Sequence, residues 1–289
     1  MKVSGFTIVR NAIKYDYPIV EAIQSILPVC DEVVVAVGNS DDGTLELIKN
    51  IQSDKIKIVE TVWDDSLRVG GAVLADETNK AFTAISDDSD WAFYIQGDEI
   101  IHEQFLPAIR ETMLKYKNAP EVEGLLFNYT HFYGSYDYIG DSRQWYRKEI
   151  RIIKNDKFIS SYKDAQGFRK NGRKLNVKPV DASIFHYGWV KPPAAQQAKQ
   201  QSFHKLWHDD TWMKEHIPEV EEFDYSAIDS LAHFKGQHPQ VMKERINRMN
   251  WCFSFDPTKR RLSFKQRFLG WIESSTGWRI GEYKNYKIV

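Results

Sequence analysis

The chain has 289 residues, 42% of them hydrophobic and 13% aromatic, with a formal net charge of −1. That is enough for a sizeable core in one large or two unequal domains, and the near-neutral balance excludes a basic nucleic-acid binder. Two cysteines, Cys30 and Cys252, stand far apart outside any CxxC spacing, as expected of reduced thiols in the cytoplasm. The opening residues read as a strand rather than a signal peptide, and no apolar run approaches the length of a transmembrane helix.

Ser4–Val9 reads as a first strand and Ile19–Leu27 as a helix with Ile19, Ile23, Ile26 and Leu27 on one side. Glu32–Val37 is a second strand whose apolar run Val33–Val37 is continuous enough to be covered on both faces, as in a parallel sheet. The turn cluster Gly38–Thr44 leads into a helix to Ile51, which Thr44 or the aspartates before it can cap. Ile56–Glu60 is a third strand. Gly70–Ile85 is helical and leads into a strand that begins at Trp91. This alternation predicts an α/β fold with a mixed, mostly parallel sheet flanked by helices. A helix over Glu103–Tyr116 follows, then strands at Gly124–Phe132, Glu149–Ile153 and Ser183–Trp189. From about Lys191 the segments read as helical without a strand signal. The expected division is a domain over 1–190, with halves meeting near 100, and a helical extension over 191–289.

The stretch Trp91-Ala92-Phe93-Tyr94-Ile95-Gln96-Gly97-Asp98-Glu99 is the most informative. It is a buried strand that ends in a small residue and two carboxylates. Charge at such an end needs a cation or a ligand, and strand ends of this kind are where open α/β sheets bind ligands. A divalent metal carrying a phosphorylated substrate fits that pattern.

Four places in order resemble the family-two glycosyltransferases with a GT-A nucleotide-sugar-binding fold. Phe6-Thr7-Ile8-Val9-Arg10-Asn11 resembles the opening strand. Asn39-Ser40-Asp41-Asp42-Gly43-Thr44 resembles the family's Gly-Ser-Thr-Asp-Gly-Thr turn. Arg68 to Asn79 resembles the segment beneath the donor phosphates, and Gln96-Gly97-Asp98-Glu99 resembles the Asp-x-Asp metal motif with its trailing Glu. The resemblance covers Val3 to Trp189. It implies donor binding by Arg10, Asn11, Asp41, Arg68, Asn79, Gln96 and Gly97, and Mn²⁺ or Mg²⁺ held by Asp98, Glu99 and His186. It implies Asp164 as the general base that activates an acceptor hydroxyl, with Glu149 in reserve. Two departures stand out. Val37 and Gly38 replace the acid that reads the nucleoside, and Gln96 replaces the first Asp of the metal motif, bringing an oxygen without charge.

Each residue also has a plainer reading. Asp98 can cap a neighbouring helix, His186 can be a satisfied structural histidine, and Asp164 can close an Asx-turn. Arg68, beside the phosphate-approaching backbone of Gly70-Gly71, can be a solvated surface residue, and Asp42 a helix cap. Trp145, Trp189, Trp207 and Trp212 can stack on sugars or fill the core. His204 and His208, four apart, lack a zincin's Glu and read as surface or acceptor-side residues. Residues 259–289 hold eight Lys or Arg, two Glu and several aromatics. They suit either a peripheral helix on an anionic membrane or a helix packed on the domain with a solvated basic face.

The reading as a whole is an inverting, metal-dependent glycosyltransferase of the cytoplasm or the inner membrane face, acting in cell-surface polysaccharide synthesis. It takes a nucleotide sugar, UDP-sugar by preference, and a glycan or lipid-linked glycan acceptor. A sugar nucleotidyltransferase is the second enzyme class, though Val9-Arg10-Asn11-Ala12 lacks the glycine-rich loop expected there. A degenerate binding module without turnover is the third reading.

Overall fold

A computed structural model describes residues 1–67, 70–207, 210–216 and 220–289. The core of the main sheet is four parallel strands. β1 (Val3–Val9) lies between β2 (Glu32–Gly38) and β4 (Trp91–Tyr94), and β3 (Ile56–Thr61) pairs with β2. β1 and β4 are buried on both faces, and β2 is buried from Val33 onward. Alternate side chains enter opposite cores. Val33, Val35 and Val37 meet Ile19, Ile23 and Ile26 of α1 (Ile19–Ile26), whereas Val34 and Ala36 share a core with Ala81 and Phe82 of α3 (Ala72–Thr83). α2 (Thr44–Lys49) adds Ile48 to the first core, and α4 (Leu106–Tyr116) adds Ile109 and Met113.

Beyond β4 the pairing turns antiparallel. β8 (Lys148–Lys154) continues the sheet from β4, followed by β6 (Gly124–Tyr133) and β7 (Ser135–Gly140). β5 (Glu99–Ile101) leaves this order and pairs with β12 (Asn176–Trp189), which also runs parallel to β6. β9 (Ile159–Tyr162), β10 (Gly167–Lys170) and β11 (Arg173–Lys174) form a separate small sheet. The result is the mixed sheet flanked by helices that the sequence pattern implied, parallel through the half built from β1 to β4.

The C-terminal segment differs from its expectation. It carries α5 (Pro193–Lys205), α6 (Asp210–His216), α7 (Lys243–Asn247) and α8 (Phe264–Thr276), yet it also returns to the sheet. β13 (Leu231–His233) extends the β7 edge and β14 (Lys287–Ile288) pairs with β12. Strands of three and two residues are too short to show a period. Among the described residues no helix is long and apolar enough to cross a membrane.

Candidate active site

The carboxyl ends of β1 and β4 open into a cleft of about 830 Å³. Arg10, Asn11, Gln96, Gly97, Asp98, Asp164 and His186 all line it, as does Trp189 from the end of β12. α5 closes one side with Lys199, Phe203 and His204.

Asp98 lies in the turn between β4 and β5 and is buried. Its Oδ2 accepts from Lys199 Nζ at 3.0 Å, and its Oδ1 lies 3.7 Å from His186 Nε2. Burial pushes the Asp98 carboxyl up, but the basic side chains around it, Lys199 foremost, outweigh burial and hold it well below the usual carboxylate range. Lys199 also donates to Gly188 O at 3.0 Å.

A chain of hydrogen bonds fixes the His186 tautomer. The Tyr146 carbonyl can only accept, so His131 Nε2, 2.8 Å away, carries the proton. Burial and the neighbouring His186 lower the His131 pKa to about 3, leaving a neutral ring with a bare Nδ1. That atom lies 3.0 Å from His186 Nδ1, which must then donate. Burial keeps His186 neutral too, so its Nε2 presents a lone pair beside Asp98. A Cβ on Gly188 would stand 2.7 Å from that Nε2 and 2.8 Å from Asp98 Oδ2, so a side chain there would push these two groups apart.

A divalent cation fits the corner through these two groups. A carboxylate oxygen and a bare imidazole nitrogen converge, and the imidazole's other nitrogen is held by a second histidine, as in metal-ligating histidines. The third expected ligand does not fit. Glu99 is fully buried, with Arg151 donating to both its oxygens at 2.7 Å, Tyr129 Oη donating at 2.7 Å and the Gln96 N–H at 3.2 Å. Its lone pairs are taken, and it faces β8 rather than a cation. Among the described residues no three His, Cys, Asp or Glu side chains gather to hold a metal. Any ion here must complete its shell from a ligand such as a diphosphate.

Asp164, which lines the same cleft, sits between Lys163 and Ala165, two non-glycine residues with φ of 56° and 59°. Left-handed backbone on both sides of one carboxyl is costly and persists only where the surroundings enforce it. They do so here: Gln96 Nε2 donates to Ala165 O at 3.3 Å, and a Cβ on Gly71 would stand 2.8 Å from Asp164 Cβ. Burial raises the Asp164 pKa against the pull of its own loop's N–H groups, so the Asx-turn and the raised acid coexist. Gly71 thus receives the Asp164 loop and the end of α5, whose Leu206 carbonyl accepts from its N–H, rather than a phosphate. Glu149 does not line the cleft; it is buried with one oxygen unpartnered, close to Gly167.

The expected donor residues Arg10 and Asn11 stand at the end of β1. Arg10 donates to Asn39 O at 3.2 Å and pairs with Asp65 at 2.8 Å. Asn11, with φ of 55°, accepts from the Asp41 N–H and donates its own N–H to Ser40 Oγ, each at 3.0 Å. The Trp63 indole covers Gly38, where a Cβ would stand 2.3 Å from its Nε1. Trp63 thereby lines the cleft near the missing nucleoside-reading acid.

Two expected donor residues lie elsewhere. Asn79 accepts from the Ser161 N–H at 2.7 Å and ties α3 to β9, away from the cleft. Asp41 is largely exposed and pairs with Lys14 at 3.2 Å. Asp42 accepts from the Thr44 N–H at 3.1 Å at the start of α2, as the capping reading holds. Arg68 and His208 lie outside the described residues. Sequence reasoning missed Lys199, His131, Tyr146, Arg151 and Trp63. Lys199 sits in the polar helix sequence Ala194-Ala195-Gln196-Gln197-Ala198-Lys199, where nothing singles it out.

No family model matches the sequence, and no curated protein matches it. Among solved structures, residues 1–349 of S. aureus TarS in complex with UDP are 21% identical over 46% of this chain and 37% of that one, with a TM-score of 0.35. Mycobacterium tuberculosis glucosyl-3-phosphoglycerate synthase with Mn²⁺, UDP and phosphoglyceric acid is 17% identical over 45% and 43%, TM-score 0.31. The 4-diphosphocytidyl-2C-methyl-D-erythritol synthase of Anaerococcus prevotii is 15% identical over 66% and 89%, TM-score 0.37. The chain thus spans less than half of the first two. Likeness at this level carries no argument about function, which rests on the cleft itself.

Proposed function

We propose that this chain is a GT-A-type glycosyltransferase, moving a sugar from a nucleoside diphosphate, UDP by preference, to a hydroxyl of a glycan or lipid-linked glycan. The carrying observation is the corner where Asp98 and the bare His186 Nε2 converge, with the separately held Asp164 lining the same cleft. Asp98 and His186 would hold Mn²⁺ or Mg²⁺, which when bound neutralises charge on a leaving diphosphate. Lys199 supplies a second positive charge beside it. Arg10 and Asn11 orient the donor at the end of β1, Gln96 and Gly97 floor the cleft beside it, and Trp63 offers a face to the base. Asp164 takes the proton of the acceptor hydroxyl as its oxygen bonds to the anomeric carbon. The carbon–oxygen bond to the diphosphate breaks in the same displacement, with inversion. The setting is synthesis of cell-surface polysaccharide at the cytoplasmic side.

A metal motif in which Asp98 is the one carboxylate facing the cleft favours a second reading, a binding module without turnover. A single assay separates them. UDP release from a panel of UDP-sugars, accelerated by a glycan acceptor and reduced roughly 10²–10⁴-fold in Asp164→Asn, supports the transferase. Nucleotide binding with no acceptor-dependent release supports the module.

A further inference from the structure

Helix α8 presents its apolar side to solvent. Phe264, Phe268 and Trp271 are 86%, 52% and 64% exposed and recur with helical spacing, so they form one outward stripe. The Phe268 and Trp271 rings stack with centroids 6.2 Å apart. Trp278, 64% exposed, follows just past the C-cap Gly277. The side turned to the domain carries the half-buried Leu269, Ile272 and Glu273, and Glu273 holds the helix down by pairing with Arg143 and with Arg147 at 3.2 Å. Caps at both ends, a capping box at Ser263–Gln266 and left-handed Gly277, define the helix without help from its apolar side. Exposed Lys265 and Arg267 flank the stripe on either side. Arg260 bridges to Asp141 and Lys259 lies by Asp256, so Lys265 and Arg267 are the flanking charges that matter here.

We propose that this face docks the protein on an anionic membrane, with the aromatic rings at the acyl boundary and Lys265 and Arg267 on lipid phosphates. Contiguous exposed aromatics mark an interaction site, and two observations select its occupant. The flanking charges share one sign, so a second copy facing the same stripe would set like charges together. The face is also small. Three aromatics of about 150–250 Å² each, at these exposures, offer roughly 300–500 Å², short of the ~800 Å² per partner of a stable dimer. A membrane needs less, because each basic residue near the surface adds roughly fivefold to partition. Arg143 and Arg147 tie α8 to the segment carrying Tyr146, which lines the cleft. A lipid-linked acceptor would therefore be met close to the cleft. That last clause rests on the proposed transferase; the docking itself does not.

The test is co-sedimentation of the full chain with vesicles of phosphatidylcholine alone and of phosphatidylcholine mixed with phosphatidylglycerol. Salt-sensitive binding to the mixed vesicles is expected. It should weaken at least roughly tenfold in Phe264→Ser/Phe268→Ser/Trp271→Ser and in Lys265→Glu/Arg267→Glu, with unchanged melting temperature and nucleotide binding. Wild-type protein that stays in solution with both vesicles overturns the proposal, as does an aromatic triple variant that still binds. Concentration-dependent dimers that vanish in the triple variant, without vesicle binding, overturn it in favour of a second copy.

Discussion

Gly188 governs how closely Asp98 and His186 are drawn together. A methyl group there would enter the space of both. Gly188→Ala should leave the fold intact and weaken metal-dependent UDP binding at least roughly tenfold, read by calorimetry with and without Mn²⁺. Asp164 gives a pH signature. Burial raises its pKa, so the basic form is gained above the ordinary carboxylate range. The rate of transfer should rise with pH through that raised value, and Asp164→Asn should flatten this limb. That Asp98, His186 and Asp164 line one cleft was legible because acids and imidazole at strand ends and loops need a reason to be there. Glu99 and Asn79 were misread for the complementary reason. A sequence does not show that Arg151 and Ser161 already satisfy them.

At the level of elements, the Arg151–Glu99 pair joins β8 to β5 beneath the cleft, both side chains fully buried. Removing one partner strands a buried charge. Arg151→Met should cost about 3–5 kcal/mol in urea unfolding, and adding Glu99→Gln should recover most of that. Asn79→Ala should cost about 1 kcal/mol while leaving UDP affinity unchanged, because its bond joins α3 to β9 and not to a donor. The parallel strands were legible from unbroken apolar runs such as Val33–Val37. β7, β9, β10 and β11 were not, because short strands rich in Ser, Tyr, Lys and Arg carry no alternation to detect. β12 was seen only in its last seven residues, since Pro179 and Asp181 interrupt the pattern before them.

Over the whole molecule, the C-terminal segment closes the structure as much as it extends it. Arg245 of α7 pairs with Asp16 and Glu21 at 2.6 and 2.9 Å, and the buried Lys191 donates to Tyr15 O at 2.8 Å. The sequence could not reveal these returns, which span more than two hundred residues for Arg245. Glu149, inside this assembly, makes stability depend on pH. Burial raises its pKa to about 7 from 4.5, so the folded state binds the proton more tightly than the unfolded one. Its contribution is full below pH 4.5 and lost as pH rises to about 7. Glu149→Gln should remove that dependence and add roughly 1–3 kcal/mol near pH 8, seen in melts across pH. The central claim, that Asp98 and His186 meet a metal-bound nucleotide, has a direct test. Melting of the pure protein would be followed with UDP, GDP, dTDP and CDP, each with and without Mn²⁺. A rise of several degrees with UDP that requires Mn²⁺ and disappears in both Asp98→Ala and His186→Ala is the predicted result. A folded protein that no nucleotide stabilises, or a UDP shift indifferent to both substitutions, would contradict it.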